Sequence, residues 1–210
     1  MVSSIFKLGQ KQQVFEPKIF LTEKEQQYSK LEKYQAPCIM LGVLGSTPQK
    51  SMPYDYVAQL IDFITENYKV NILFNYAPHQ KKEALKIYEL CKLKEQIIID
   101  VYEDSIRGFI QLMDNCDLLV ANEGGAVHIA KALQKPTFTI FSPYVLKENW
   151  ASFEDGCKHT SVHLIEEKPE LYNVVEEKSR RDIEKNPQKM YKALTPVSYT
   201  HLTLPTTSRV

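Results

Sequence analysis

Long apolar runs, paired cysteines and an excess of charge of either sign are all absent from this sequence of 210 residues. No run approaches the roughly 20 apolar residues that span a bilayer, and the start, MVSSIFKLGQKQQ, has no apolar signal-peptide core. The 26 basic and 26 acidic residues balance, so no overall field attracts nucleic acid or an anionic membrane. The composition therefore predicts a protein with no nucleic-acid partner and no transmembrane segment.

The four cysteines are too far apart in sequence to suggest a shared site. None belongs to a CxxC pair, and Cys38, Cys91 and Cys116 lie in apolar or helical contexts. This pattern favours buried free thiols in a reducing cytosol over disulfides or a metal centre. We therefore expect a cytoplasmic protein without a metal site.

Motifs that would identify several enzyme classes are absent as well. Glycines at Gly42 and Gly45 do not fit the GxGxxG fingerprint of dinucleotide enzymes. A Walker loop ending at Lys50 would need glycines where Leu44 and Gln49 stand. No HExxH, GxSxG or cysteine–histidine pattern is present. Nicotinamide enzymes and P-loop NTPases are therefore disfavoured.

The sequence does contain a regular alternation of apolar strands and amphipathic helices. Six short apolar runs predict strands: CIMLGVLG, VNILF, QIIIDV, DLLVA, PTFTIF and SVHLI. These runs are apolar throughout rather than at every other residue, which predicts a parallel sheet covered by helices on both faces. The expected fold class is α/β, a Rossmann-like doubly wound parallel sheet.

The spacing of apolar residues predicts which side of each helix faces the sheet. The first long helix, opened by Pro53, is expected to bury Val57, Leu60, Ile61, Ile64 and Tyr68. The second is expected to bury Ala84, Leu85, Tyr88 and Cys91. The third, capped by Ser105, carries Ile106, Phe109, Ile110 and Met113. The fourth has a core stripe of Ala126, Ile129, Ala130 and Leu133.

Composition divides the chain into four parts. Residues 37–165 hold the predicted strands and form the Rossmann-like domain. Residues 1–36 are polar and helix-prone, as in a connector, and residues 166–195 form a charged tail with one helix. Residues 196–210 begin PVSYTHLTLPT, the translation of a common transposase sequencing adapter. We expect this last part to be a non-native artefact and the native C-terminus to be missing.

Two loops are expected to meet at the carboxyl edge of the sheet. Open parallel sheets bind ligands where the strand order reverses, between the first and fourth strands. The loop after the first strand offers the hydroxyls of Ser46 and Thr47 and the cation of Lys50. The loop after the fourth strand offers Gly124 and Gly125 at a helix start, where free N–H groups and the helix dipole favour an anion. Phosphate is the expected ligand.

Each of these features also has a purely structural interpretation. The glycine pair could serve only tight strand-to-helix packing. Glu123 could be an ordinary first-turn carboxylate, and Lys50 a solvated loop lysine. His128 lies off the predicted core stripe and near the open helix end, where it could donate to a ligand oxygen or be merely solvated. Only the convergence of these residues at one edge favours a binding site.

The order of these residues resembles the C-terminal half of the heptosyltransferases, glycosyltransferase family 9. That half runs from a Gly/Ser/Thr loop with lysine and a Trp-Pro helix start to Asp-Thr-Gly-x-x-His-x-x-x-Ala-Leu-x-x-Pro, a strand and Gly-Pro-Thr. Ser46, Thr47 and Lys50 match the phosphate loop, and Met52-Pro53 stands for Trp-Pro.

The second motif is the longer one, and it is matched with departures. Asn122-Glu123-Gly124 stands where Asp-Thr-Gly is expected, and His128 matches the histidine. Further matches are Ala132, Leu133, Pro136 and the run FSPY from Phe141, which replaces Phe-Gly-Pro-Thr. The likeness covers about residues 36–150.

This resemblance implies a fold and an activity. Members of the family are two-lobed GT-B enzymes that transfer heptose from ADP-heptose to lipopolysaccharide core, and the C-terminal lobe binds the nucleotide sugar. An inverting displacement is implied, with a carboxylate of the N-terminal lobe as base. The implied donor-binding residues are Ser46, Thr47, Lys50, Asn122, Glu123, Gly124, Gly125 and His128.

The resemblance also has consequences for cofactors and for completeness. No cofactor or metal is implied, because the loop donors supply the positive charge and no Asp-x-Asp pair lies near them. The acceptor lobe and the base are expected to precede the residues present. We therefore expect a fragment that binds donor weakly and does not turn over, from a parent that is cytoplasmic or peripheral at the inner membrane.

Several alternatives stay open at this point. The departures at Asn122 and Glu123 leave the sugar open, and Glu83, beside Gln80, Lys81 and Lys82, leaves the ribose and adenine contacts open. A non-catalytic nucleotide or sugar-phosphate binding module is one alternative class, and a GT-B-like sugar-nucleotide epimerase is another. Preference for ADP would favour heptose transfer, and preference for UDP would favour an epimerase or another transferase. Binding of none of the nucleotides would favour a scaffold or an inactive fragment.

Overall fold

The computed structural model describes residues 16–172 and 187–194. Its centre is a six-stranded sheet in which every neighbouring pair is parallel, in the order β3-β2-β1-β4-β5-β6. The strands are β1 Cys38–Gly42, β2 Asn71–Asn75, β3 Ile97–Ile98, β4 Leu118–Asn122, β5 Thr137–Ile140 and β6 His159–Val162. The order reverses between β1 and β4. The predicted doubly wound α/β fold is confirmed, with its switch point between the expected strands.

Helices cover both faces of this sheet. They are α1 Glu23–Gln26, α2 Tyr54–Asn67, α3 Lys81–Leu90, α4 Ile106–Asp114, α5 Gly125–Ala132, α6 Leu164–Glu167 and α7 Pro187–Tyr191. Alternate residues of β1 point into two separate cores: Ile39 packs with residues of α2 and α3, whereas Met40 packs with residues of α4 and α5. Burial on both sides explains why the strands are apolar at every position.

The helix faces agree with the predicted spacing in part. In α2 the predicted residues Val57, Leu60, Ile61 and Ile64 are all buried. In α3 the prediction for Leu85 is wrong: it is 40% exposed, and Ile87 is buried instead. Ala84, Ile87 and Cys91 follow the spacing i, i+3, i+7, so the buried stripe passes beside Leu85.

Helices α4 and α5 bring two further corrections. The Ser105 hydroxyl accepts a hydrogen bond from the Gly108 N–H at 2.9 Å, which confirms the predicted cap. Ile106 directly follows that cap and is 69% exposed, because the first turn faces away from the core. The buried stripe of α5 includes Val127 and Ala130, whereas three residues of the predicted stripe are only partly buried, namely Ala126, Ile129 and Leu133.

The described part of the predicted connector lies against the α4 and α5 side of the domain. Leu31 is buried in that core, and the Ile19 N–H donates to the Ala132 carbonyl at 3.0 Å. The Tyr28 hydroxyl donates to Glu103 at 2.8 Å. The described part of this segment therefore contacts the domain at several points, although most of its residues are exposed. The boundary at residue 36 stays a prediction, and residues 1–15 lie outside the described residues.

At the other end, α7 and the residues after it enter the core on the α2 side. Tyr191 and Leu194 are fully buried there, although the surrounding sequence is strongly charged. The Tyr56 hydroxyl donates to the Lys192 carbonyl at 3.1 Å and ties this segment to α2. Most of the predicted charged tail (173–186) and the predicted artefact (196–210) lie outside the described residues.

The cysteines are free thiols and three of the four are buried, as predicted. Cys38, Cys91 and Cys116 are buried and Cys157 is exposed, all unpaired by disulfides. In the ranges 16–172 and 187–194, no helix has both the length and the apolar character needed to cross a bilayer.

A buried histidine makes the stability of this fold depend on pH. The Nδ1 of His163 accepts from the Ile165 N–H at 3.0 Å and caps α6, so Nε2 carries the proton and donates to the Val145 carbonyl at 3.0 Å. Burial lowers the pKa of His163 below its usual value of 6.5, and Lys147 acts in the same direction; together they outweigh the hydrogen bond to Val145 and the nearby carboxylates of Glu166 and Glu123, which raise it.

We expect the melting temperature to fall as the pH is lowered from 7.5 to 5.5. In this range the unfolded state binds more protons than the folded state, so stability is present above pH 6.5 and is lost below it. His163→Asn keeps a side-chain cap and removes the titrating group, so its melting temperature should vary less with pH. Thermal melts at both pH values measure this. Equal slopes for the variant and the wild type would contradict the role of His163.

Candidate functional site

The loop after β1 folds back on itself and is held by hydrogen bonds. The Gly45 N–H donates to the Ser51 hydroxyl at 3.0 Å, and that hydroxyl donates to the Thr47 carbonyl at 3.0 Å. A Cβ at Gly45 would lie 2.5 Å from the carbonyl carbon of Lys50. Only glycine therefore allows the two ends of this loop to approach so closely. Thr47 is exposed near the middle of the loop.

This loop and the start of α5 line one crevice at the carboxyl edge of the sheet. The crevice has a volume of about 330 Å³, with Ser46 on one side and Gly125 on the other. Apart from its chain neighbours and the backbone of its own helix, no described residue lies within 4 Å of a Cβ built at Gly125, so this side of the helix start is open. The wall opposite is formed by residues after β2 and from α4, including Tyr76 and Phe109. The structure thus brings together the two loops predicted to meet.

Lys50 and Glu123 form an ion pair beside this helix start. The Lys50 Nζ lies 3.3 Å from Glu123 Oε1, and the side chains are 20% and 1% exposed, respectively. The Glu123 carboxylate also accepts from the Ser142 N–H at 2.9 Å and from the Ser142 hydroxyl at 3.0 Å. Lys50 is therefore not a solvated loop lysine, and Glu123 is not an exposed first-turn carboxylate.

Two aromatic rings stand next to this ion pair. The Lys50 Nζ lies 4.9 Å from the centroid of the Trp150 ring, close enough for a cation–π interaction. The His128 ring stacks on the same indole at 6.2 Å and an interplanar angle of 30°. Burial lowers the pKa of His128, so the imidazole is neutral at pH 7. Trp150 was missed from the sequence, although its position soon after the second motif was the available signal.

Asn122 and Tyr191 lie on the inner side of the same pair. The Asn122 side-chain amide donates to the Ile140 carbonyl at 2.9 Å and to the Tyr191 hydroxyl at 3.3 Å. The Tyr191 hydroxyl in turn lies 2.9 Å from the Ser142 hydroxyl and 3.0 Å from the Lys50 carbonyl oxygen. Tyr191 was also missed, because a tyrosine in a charged stretch gives no sequence signal.

A second cavity, of about 680 Å³, continues from Ser46 towards α3. Its polar lining includes Gln80 and Glu83. Gln80 is already engaged, since its side chain donates to the Gly45 carbonyl at 2.8 Å and accepts from the Ala77 N–H at 3.0 Å. Lys81 and Lys82 are exposed. Glu83 is therefore the best of the four candidates for a ribose contact, because it lines the cavity and its carboxylate can accept hydrogen bonds.

Solved structures with this fold include glycosyltransferases. The chain is similar to the glycosyl transferase family 9 structure from Veillonella parvula, with a TM-score of 0.67 and 14% identity, over 88% of this chain and 51% of that one. It is also similar to E. coli ADP-heptose LPS heptosyltransferase II, with a TM-score of 0.58 and 14% identity, over 88% and 54% of the two chains. The similarity to E. coli heptosyltransferase WaaC with ADP has a TM-score of 0.58 and 14% identity, over 79% and 43%.

These likenesses and the doubly wound sheet define the class of the fold as a lobe of a GT-B glycosyltransferase. A sequence model of Glycosyltransferase family 9 (heptosyltransferase) matches residues 2–178, and the chain belongs to this family. Lipooligosaccharide heptosyltransferase 2 of Haemophilus influenzae is 26% identical over 137 residues, which are 60% of this chain and 40% of that protein. The chain thus spans about half or less of the length of these relatives.

The register of the second motif must be shifted by one residue. In Asp-Thr-Gly-x-x-His the histidine follows the aspartate by five positions, and the residue five positions before His128 is Glu123, not Asn122. The structure agrees with this count, because Glu123 contacts Lys50 whereas the Asn122 amide points inward to Ile140. An acidic residue therefore stands at the family's aspartate position, and Gly125 stands at its glycine.

Proposed function

We propose that this chain is the donor-binding lobe of a glycosyltransferase and that its crevice holds the diphosphate of a nucleotide sugar. The observation that carries this proposal is the shared crevice: Ser46 from the loop after β1 faces Gly125 at the open start of α5. Hydroxyl and N–H donors from two sides, next to a lysine, match the oxygens of a diphosphate. The nucleotide sugar is of the ADP-heptose kind, in keeping with the ADP-bound relative.

In this arrangement the chain stabilises the leaving diphosphate. Negative charge develops on the phosphate oxygens as the bond to the anomeric carbon breaks. The backbone N–H groups at Gly124 and Gly125 are held by the end of β4 and the start of α5 before that happens, so they need little reorganisation, and the Ser46 hydroxyl faces the same crevice. Thr47, next to Ser46, has an exposed hydroxyl that can turn to a phosphate oxygen.

Glu123 adjusts the charge of the site without binding the ligand directly. Its two carboxylate oxygens are engaged by Ser142 and Lys50, and its side chain is almost fully buried. The ammonium of Lys50 has three donors, of which Glu123 engages one through the salt bridge. We propose that Lys50 donates to the diphosphate through another.

The direction of the bound donor follows from the two ends of the crevice. The cavities lined by Tyr76, Phe109 and Glu83 lie on the β2 side of the phosphate position and suit the base and the ribose. Trp150 and His128, whose rings stack beside Lys50, suit the sugar, since an aromatic face can pack against the C–H face of a sugar ring. The acceptor, a lipopolysaccharide-type glycan, would meet the sugar from a partner lobe.

Titration of the whole chain with ADP, UDP and GDP and their sugars tests this proposal. We expect calorimetry to give the tightest binding for ADP and for ADP-sugars. Trp150 is the only tryptophan in the sequence and lies beside Lys50, so its fluorescence should change on the same titration. Preference for UDP would favour an epimerase or a different transferase. If none of the three nucleotides binds, the donor-site proposal is overturned.

A further inference from the structure

The hydroxyl of Tyr191 joins three separate parts of the candidate site. It lies 3.0 Å from the Lys50 carbonyl oxygen in the loop after β1, and 2.9 Å from the Ser142 hydroxyl in the loop after β5. It also accepts from the Asn122 amide at the end of β4, at 3.3 Å. The ring itself is fully buried. A single side chain therefore contacts all three segments from beneath the crevice.

These contacts reach the ion pair beside the phosphate position in one further step. The Ser142 hydroxyl, held by Tyr191, donates to the Glu123 carboxylate at 3.0 Å. Glu123 in turn lies 3.3 Å from the Lys50 Nζ. A hydroxyl carries one proton, so Tyr191 donates either to the Lys50 carbonyl or to the Ser142 hydroxyl at any moment. The first bond holds the backbone of Lys50, and the second reaches its ammonium through Ser142 and Glu123.

The loop that carries Lys50 is exposed and has little regular secondary structure of its own. Its residues Ser46 and Thr47 are exposed, and it contains no helix or strand apart from the short turn Pro48–Lys50. A loop of this kind is ordered by hydrogen bonds from neighbouring elements. Donors that bind a diphosphate must be held close to their binding geometry before the ligand arrives.

We infer that Tyr191 is a positioning residue of the donor site, whose hydroxyl holds Lys50 and the loop after β1 in the geometry that binds a diphosphate. This inference rests on the proposed function. Tyr191 is fully buried, so in this proposal it acts through Lys50 and not by contact with the ligand. It also gives α7 a role in the site, because α7 carries the hydroxyl to the crevice from a distant part of the sequence.

Tyr191→Phe tests the inference, because it keeps the buried ring and removes only the hydroxyl. We expect the affinity for ADP to fall by about tenfold, as lost hydrogen bonds of this kind imply, with adenosine affinity unchanged. A merely structural role would weaken the two ligands alike or lower only the melting temperature. Calorimetry with ADP and adenosine, beside a thermal melt, separates these outcomes.

Tyr56→Phe is the matched control. The Tyr56 hydroxyl also ties the segment after α7 to the domain, through an exposed hydrogen bond to the Lys192 carbonyl, and within the described part of the chain it has no hydrogen bond to Lys50 or Ser142. It should leave ADP affinity unchanged, so equal losses in the two variants would overturn the positioning role. If the wild type fails to bind ADP, the proposed function fails instead. If the wild type and Tyr191→Phe bind ADP equally, only the inference fails.

Discussion

Lys50→Ala should weaken ADP binding by about 10- to 100-fold and leave adenosine binding unchanged. A hydrogen bond from a charged donor contributes about 1.5–3 kcal/mol, which corresponds to this range. The loss is confined to ligands with phosphates, because Lys50 stands beside the start of α5 and not in the cavity that suits the nucleoside. Calorimetric titrations with ADP and adenosine measure both affinities.

The same substitution should lower stability, and this effect must be separated from binding. Without Lys50 the Glu123 carboxylate stays buried with only Ser142 as partner, which costs about 1–3 kcal/mol. Adding Glu123→Gln to Lys50→Ala removes the unpaired charge. The double variant should regain most of the lost stability but not the ADP affinity. Recovery of both would mean that Lys50 acts only through folding.

Lys92→Ala is the control for net charge. Lys92 forms an exposed ion pair with Glu66 on the far side of the domain from the crevice-lining residues. Its removal changes the total charge by the same amount as Lys50→Ala. ADP affinity should not change, since exposed charges further away than about 10 Å are screened at ordinary salt. Similar losses for both lysines would argue for a general electrostatic effect.

Gly45→Ala should disrupt the loop after β1 altogether. The new methyl group would lie 2.5 Å from the carbonyl carbon of Lys50, and the obstacle is backbone that cannot rotate away. Overpacking of this kind costs about 1–3 kcal/mol, so the melting temperature should drop by about 3–10 °C. ADP binding should be lost together with the loop geometry, because Ser46 and Lys50 would both move.

Gly125→Ala serves as the folding control for Gly45→Ala. A Cβ at Gly125 meets no described atom within 4 Å, and alanine favours the helix more than glycine does. The variant should therefore fold at least as stably as the wild type. Thermal melts of the two glycine variants make the comparison. An unchanged melting temperature for Gly45→Ala would show that the loop can relax, and the close approach would then have no structural importance.

The sheet and its switch point could be predicted from the sequence because they depend on local patterns. Strands buried on both faces must be apolar at every position, and the alternation with helices then determines the parallel order. Loop residues at the ends of β1 and β4 follow directly from that order. This is why Ser46 and Gly125 were placed in one crevice without any knowledge of their contacts.

Other features depended on contacts between distant residues and could not be predicted. Glu123 stands just before a helix, where a carboxylate is common. The sequence around it does not show that Lys50 and Ser142 enclose it. Leu85 was placed inward by a spacing that fits two adjacent stripes of α3 equally well. Tyr191 lies in a charged stretch, and it is fully buried through contacts with Lys50, Asn122 and Ser142, which are distant in sequence.

The contact between Tyr191 and Lys50 also bears on how the protein is made. The two residues are 141 positions apart, so a ribosome synthesises the loop of Lys50 long before the tyrosine that supports it. A nascent chain that ends before Tyr191 can form every strand of the sheet, yet it lacks the hydroxyl beneath the crevice. Completion of the site is thus a late event in translation, and premature termination leaves the loop after β1 without its contact to the Tyr191 hydroxyl.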